Sequence, residues 1–309
     1  MSVSRNEQTI AQACCVTGRG YWTGQQVRVQ IQPATAGTGI RLIRSDLPTQ
    51  PSCLAIASNR RDTPLRTILH DGKSARFEMV EHLMAALHGL RIDNCLVLID
   101  GEEFPGLDGS CQAFYDALQD AGVVSQDTLR HRLVIDQTIR VEAADRWIQV
   151  DPLPIAVQND GTKYEYRLGF DYDCPIAAQT FSFVCTPESF GKEVAGARTF
   201  VTQSQAEMLR AQGVASHVTN QDLLVFGKTG PIDNTLRFSD ECARHKTLDL
   251  IGDLALTGCD IVGSIVSYRG GHTLNGRLSE RLAAILQNQI QAGRDHNDAD
   301  DSKSRQRAA

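Results

Sequence analysis

Asp240 to Leu256, DECARHKTLDLIGDLAL, is the stretch on which the reading of this chain turns. Leu248, Ile251 and Ala255 fall in one apolar stripe at helical spacing, and Gly258 follows the end. The segment is therefore expected to be a long amphipathic helix. Residues four apart share a helix face, which sets His245 beside Asp249 and continues to Asp253. An imidazole nitrogen and a carboxylate oxygen so placed suit one metal ion. The same spacing also describes a solvated polar face, so the stretch is only half of a site. Two other segments carry the residue types that it lacks: Glu81-His82 and Gly271-His272.

Working outward, Glu81 to Leu90 reads as a second helix, with Leu83, Leu87 and Leu90 on one face. Upstream, Val27 to Ile31 alternates as a strand and Ile40 to Ile43 is a second one. Downstream come a buried strand, Cys95 to Ile99, the turn Pro105 to Ser110, and a helix from Gln112 to Ala121. Residues 121–132 show no apolar period and read as a linker. The second half opens on strands at Leu133 to Ile135, Trp147 to Val150 and Phe181 to Val184. Ser204-Gln205-Ala206-Glu207 has the form of a capping box that starts a short helix closing at Gly213. Asn275 to Ile290 is the last expected helix, with Gly293 as its stop and a polar tail beyond, expected to be disordered.

Each half thus runs from strands to a helix bearing a metal-type residue pair. This predicts an α+β protein of two similar halves, 1–125 and 131–292, followed by the tail 293–309. No letter-by-letter repeat accompanies the similarity.

Composition narrows the function. The chain has 309 residues and a net charge of −6 with no basic block, which argues against nucleic acid as a partner. The most apolar runs are strand-sized, well short of the ~20 residues of a membrane span. Met1 to Asn6 leads into polar residues with no signal-peptide core, so a cytoplasmic location is expected. The nine cysteines are odd in number and form no Cys-x-x-Cys, which predicts reduced, mostly buried thiols.

A hydrolytic zinc site requires three protein ligands and an open position. His82, His245 and Asp249 make such a set, Glu81 is a carboxylate able to take a proton from water, and His272 is able to donate one. Each residue also has a plainer reading. Glu81 suits any helix N-terminus, His82 any helix surface, and His272 any turn. The short zinc motifs are absent: there is no His-Glu-x-x-His, and the inverted form fails because Glu78 occupies its first position.

Taken in order, several stretches resemble the UDP-3-O-acyl-N-acetylglucosamine deacetylase family, the zinc amidases that commit bacteria to lipid A synthesis. They are Val80 to Leu87, Gly89 to Asn94, Asp108-Gly109-Ser110, Ala197-Arg198-Thr199-Phe200, His245 to Leu254 and Gly271 to Asn275, spanning roughly residues 8–290. The resemblance implies two similar α/β-sandwich domains with the active site between them. It implies zinc on His82, His245 and Asp249, with iron(II) suited to the same ligands. Glu81 would be the general base, and His272 the protonated donor to the leaving amine, oriented by Asp253. Thr199 would hydrogen-bond the oxyanion. Lys246 would hold polar groups of the substrate and Phe200 would pack on it. The helix begun by Ser204 falls where the family inserts an element forming an acyl passage, with Met208 and Leu209 as lining residues. The implied partner is a UDP-linked acyl amino sugar, acted on by a monomer that touches the inner membrane surface only transiently.

The glycine-rich Gly18 to Gly24 departs from the family pattern, since Tyr21 and Trp22 stand where Leu and His are usual. That departure keeps a second reading open, a metal-dependent amidase acting on another acylated sugar. A non-catalytic sugar-nucleotide-binding module would require a broken catalytic set, and every position of the set is present.

Overall fold

The computed structural model describes residues 5–157, 161–169 and 174–307, with side chains described to 292 at the C-terminal end. Its α-helices are α1 (Glu81–Gly89), α2 (Gln112–Asp120), α3 (Pro187–Glu193), α4 (Gln203–Ala211), α5 (Glu241–Ala255) and α6 (His272–Arg307).

Two five-stranded sheets organise the molecule. The first has the order Cys14–Arg19, Gln26–Pro33, Cys95–Ile99, Ile40–Arg44, Ser52–Leu54. The second has the order Ile139–Ala143, Arg146–Asp151, Ser264–Tyr268, Thr162–Leu168, Gln179–Cys185. In each, the strand latest in sequence lies at the centre. It runs antiparallel to one neighbour, Gln26–Pro33 or Arg146–Asp151, and parallel to the other, Ile40–Arg44 or Thr162–Leu168. The two halves therefore share strand order and strand direction, a likeness that no letter-by-letter repeat betrays. A helix precedes the central strand in each half (α1, α5) and another follows it (α2, α6).

The helices α1 and α5 pack directly on each other, and both are buried almost all round. The sequence predicts an amphipathic helix over 240–256, whose polar face at His245, Asp249 and Asp253 suits either a metal site or solvent. The structure decides between the two: His245, Asp249 and Asp253 are all buried, because the polar face of α5 meets α1 and a shared site. Gly252 makes the approach possible. A Cβ built there would lie 2.1 Å from the Glu81 carbonyl oxygen.

Each half carries an additional small sheet. In the first it joins Arg60–Arg61, Ile68–His70 and Arg76–Glu78. In the second, Phe200–Thr202 runs parallel to Leu224–Gly227 with α4 as the crossover, and Gly230–Pro231 closes the edge.

Three expectations are corrected. The linker over 121–132 is largely a strand, Val123–Leu129, antiparallel to Asn6–Ile10. It is exposed along most of its length, so no apolar alternation marks it. The capping box of α4 belongs to Thr202, whose hydroxyl accepts from Gln205 N–H while the Gln205 side chain accepts from Thr202 N–H; Ser204 lies inside the helix. Finally, α6 starts at His272 and its backbone stays helical through Gly293 to Arg307, where a disordered tail is expected. A helix-interior glycine costs only ~1 kcal/mol relative to alanine, and no proline follows to interrupt the hydrogen bonds.

Candidate active site

The α1–α5 contact brings the three candidate ligands together. One ligand atom each of His82, His245 and Asp249 lies within 4.8 Å of the others. Asp249 Oδ1 is 3.4 Å from His245 Nε2 and 3.9 Å from His82 Nε2. Nδ1 of His245 is 3.0 Å from the Ala197 carbonyl, a contact that assigns the proton to Nδ1 and leaves the Nε2 lone pair facing Asp249. Nδ1 of His82 is buried without a protein partner among the described residues.

Electrostatics favour the ligand forms of all three. Burial holds His82 down at about 3 and lowers His245, so both imidazoles are neutral near pH 7. For Asp249 burial opposes ionisation, but Lys246 and the neighbouring histidines outweigh it and keep the carboxyl far below its ordinary range. Lys246 Nζ donates to Asp249 Oδ2 at 2.6 Å. Two neutral imidazoles and a carboxylate converging on one point are the donor set of a catalytic zinc site with positions left open. The residues therefore fit a divalent cation.

Beside this set lie two groups whose proton affinities are both raised. Glu81 opens α1, directly after Met79 (φ 60) and Val80. Burial pushes its carboxyl up to about 7, with Asp253 and Asp249 adding to the effect against the attraction of His272. His272 opens α6 after Arg269 (φ 53) and two glycines. Burial disfavours its charged form, yet Asp253, Asp249 and Glu81 raise it to about 9. Its Nδ1 is 2.9 Å from Asp253 Oδ2, so Nε2 points into the site, 3.9 Å from both Glu81 Oε1 and Asp249 Oδ2. Left-handed backbone at Met79 and Arg269 is uncommon for non-glycine residues, and here it flanks both segments that present these groups.

The wall over the ligands is anchored by a buried ion pair. Arg198 Nε donates to Glu241 Oε1 at 2.8 Å, tying the segment 197–200 to the start of α5. Thr199 N–H donates to the Gly109 carbonyl at 2.7 Å, and the Phe200 ring centroid lies 6.4 Å from that of His245. Two cavities meet there. One, of about 200 Å³, is bounded by the ligands, Thr199 and the apolar Tyr21, Trp22, Leu209 and Leu223. The other, of about 680 Å³, reaches from Lys246 and Phe200 to Arg146 and Arg269. Leu209 lines both cavities, whereas Met208 lines only the larger and is 55 % exposed. Gly271 leaves its side of the larger cavity open, since a Cβ there would meet nothing within 4 Å. Cavities of about 100 and 290 Å³ near Arg5, His88 and Arg91 contain none of these groups.

Tyr21 and Trp22 form the outer wall. The Tyr21 hydroxyl donates to the Asp222 carbonyl, and the Arg66 guanidinium sits 4.2 Å over the Trp22 ring. Two contributors, Arg146 and Thr67, carry no sequence signal, whereas Arg269 and Asn275 flank His272 in the sequence. Asn275 donates to Asp253 Oδ2 at 2.9 Å, and Thr67 donates to both Glu81 and Asp253. Thr67 and Asp253 are 186 positions apart, so no local spacing connects them.

The family model described as LpxC, UDP-3-O-acyl N-acetylglycosamine deacetylase, matches residues 7–284. Relatives from Brucella ovis, Brucella canis and Brucella abortus, each named UDP-3-O-acyl-N-acetylglucosamine deacetylase, are 41% identical over 283 residues. Each alignment covers 91% of this chain and 95% of the relative.

Proposed function

The chain belongs to the UDP-3-O-acyl N-acetylglycosamine deacetylase family, and on that premise we propose that the buried set between α1 and α5 performs the amide hydrolysis. The reaction removes the N-acetyl group of UDP-3-O-acyl-N-acetylglucosamine, giving acetate and UDP-3-O-acylglucosamine, in lipid A biosynthesis. The convergence of His82, His245 and Asp249 beside Glu81 and His272 carries the assignment of residues.

His82, His245 and Asp249 would hold a divalent cation, zinc in this reading. A cation bound there would supply Lewis-acid chemistry and acidify water. Glu81 takes the proton from the attacking water as the tetrahedral centre forms. Thr199, which lines the same cavity, donates to the developing oxyanion. His272 enters the reaction protonated and passes its Nε2 proton to the departing amine; Asp253 on Nδ1 fixes the ring so that Nε2 is the donor. Lys246 screens the charge of Asp249 and faces polar substrate groups, and Phe200 packs against the substrate.

The cavities suggest how the substrate lies. Its acyl chain suits the apolar side lined by Leu209 and Leu223, and its diphosphate suits the cationic wall of Arg146 and Arg269. Met208 lies at the rim with Leu65, 60 % exposed. These apolar side chains favour brief contact of a cytoplasmic monomer with the membrane surface, where an acylated product partitions. No helix among the described residues is long and apolar enough to cross a membrane.

Single-turnover deacetylation by metal-stripped protein, before and after one equivalent of zinc, tests the assignment. Acetate release restored by zinc is the expected result. Undiminished release without metal would overturn the ligand assignment, and zinc binding without release would point to a different acylated sugar. Anaerobic reconstitution with iron(II) in parallel identifies which cation supports the faster rate.

A further inference from the structure

Thr67 is fully buried and touches both members of the acid–base pair. Its backbone N–H donates to Glu81 Oε2 at 3.0 Å. Its hydroxyl donates to Asp253 Oδ1 and lies 3.3 Å from His272 Nδ1. Both oxygens of Asp253 are thereby engaged: Oδ1 by Thr67, and Oδ2 by His272 Nδ1 and Asn275 Nδ2, each at 2.9 Å. A carboxylate held on both oxygens has one orientation, and the imidazole it grips keeps one tautomer and one direction.

The backbone of Thr67 is anchored in turn. Its carbonyl accepts from Val80 N–H at 3.4 Å, and the next residue, Ile68, pairs with Glu78 in the neighbouring strand. Thr67 is thus fixed to the strand that leads into α1, and from there its hydroxyl reaches across to α5. It lines neither cavity, so its side chain has no part in holding substrate.

Resting on the deacetylase reading, we propose that Thr67 is a positioning residue that fixes Glu81 and His272 relative to each other, its hydroxyl acting through Asp253. The base and the acid belong to different halves of the chain, and Thr67 is hydrogen-bonded to both sides. Replacing its hydroxyl by a methyl group leaves Asp253 Oδ1 buried and unpaired, frees the carboxylate to turn, and loosens the imidazole.

Thr67→Val, close to isosteric, tests this against Thr67→Ser. Thr67→Val is expected to lower kcat roughly 10- to 100-fold, the scale of one lost hydrogen bond to a charged group. KM should stay within about twofold, since no ground-state substrate contact is removed. Thr67→Ser should return kcat to within about threefold of wild type, since it keeps the donor. In an Asp253→Asn background Thr67→Val should add little, because the two changes break one chain of contacts. A loss seen only in KM, an equal loss in Thr67→Ser, or full multiplicative loss with Asp253→Asn would each overturn the proposal. Should Thr67→Val fail to fold, Thr67→Cys, with a weak donor of similar size, takes its place.

Histidine side-chain NMR reads the same contact without turnover. The His272 Nδ1 proton signal should shift in Thr67→Val and be retained in Thr67→Ser. An unchanged signal in Thr67→Val rejects the positioning role whatever the substrate proves to be, whereas wild-type inactivity on the UDP sugar rejects only the deacetylase reading.

Discussion

Glu81 Oε1 and His272 Nε2 stand 3.9 Å apart with opposite demands on protonation. Burial lifts Glu81 to about 7, and the surrounding carboxylates lift His272 to about 9 against the effect of its own burial. A base works deprotonated, so the rate rises as pH climbs through the Glu81 value. An acid works protonated, so the rate falls as pH climbs through the His272 value. The kcat/KM profile is therefore expected to be a bell bounded near 7 and near 9, and a bound divalent cation shifts both limbs to lower pH. Glu81→Gln should reduce kcat by about 10²- to 10⁴-fold and abolish the acidic limb; an intact acidic limb in that variant would assign it to another group. Residues such as Glu81, His82, His245 and Asp249 are legible in the sequence because they are neighbours, or four apart on one helix. Thr67 and Arg146 are not, since their relation to the site exists only once distant segments have packed.

Helix α5 shows what an element adds to its residues. Its 3.6-residue period is plain in the sequence, but the period does not say whether the polar face meets water or a second helix. Burial of both α1 and α5 depends on Gly252, where any Cβ would collide with the Glu81 backbone. That backbone belongs to the residue proposed as base, and the next one is His82. Gly252→Ala is expected to force the helices apart, destabilising the fold by about 1–3 kcal/mol as in other overpacked cores. It should also weaken metal binding, because His82 lies on one helix and His245 and Asp249 on the other. Urea unfolding and metal titration of the variant check the two effects; unchanged stability with unchanged affinity would mean that the helices can shift without cost. The same limit of local signals explains the misread elements. Val123–Leu129 pairs as an exposed strand that needs no apolar alternation, and α6 runs on through a glycine that resembles a stop signal.

For the whole molecule, the shared strand order of the two sheets gives each half an equivalent helix before its central strand, and these two helices meet face to face. The candidate ligand set is consequently divided between the halves, with His82 from the first and His245 and Asp249 from the second. A cation bound by all three binds the folded chain and has no comparable site in the unfolded one, so it stabilises by mass action. At one hundred times its dissociation constant the increment is about 2.7 kcal/mol. Thermal unfolding should therefore show a midpoint that rises with added zinc and falls on chelation, with the size of the rise following zinc concentration. His82→Ala removes the contribution of the first half and leaves two ligands on a single helix, so the zinc-dependent rise should largely vanish. Comparing the increment within each protein separates this effect from any change in the metal-free midpoint that the substitution itself causes. An equal zinc-dependent rise in wild type and His82→Ala would mean that the cation is held by the second half alone, and that the meeting of α1 and α5 serves packing and not metal binding.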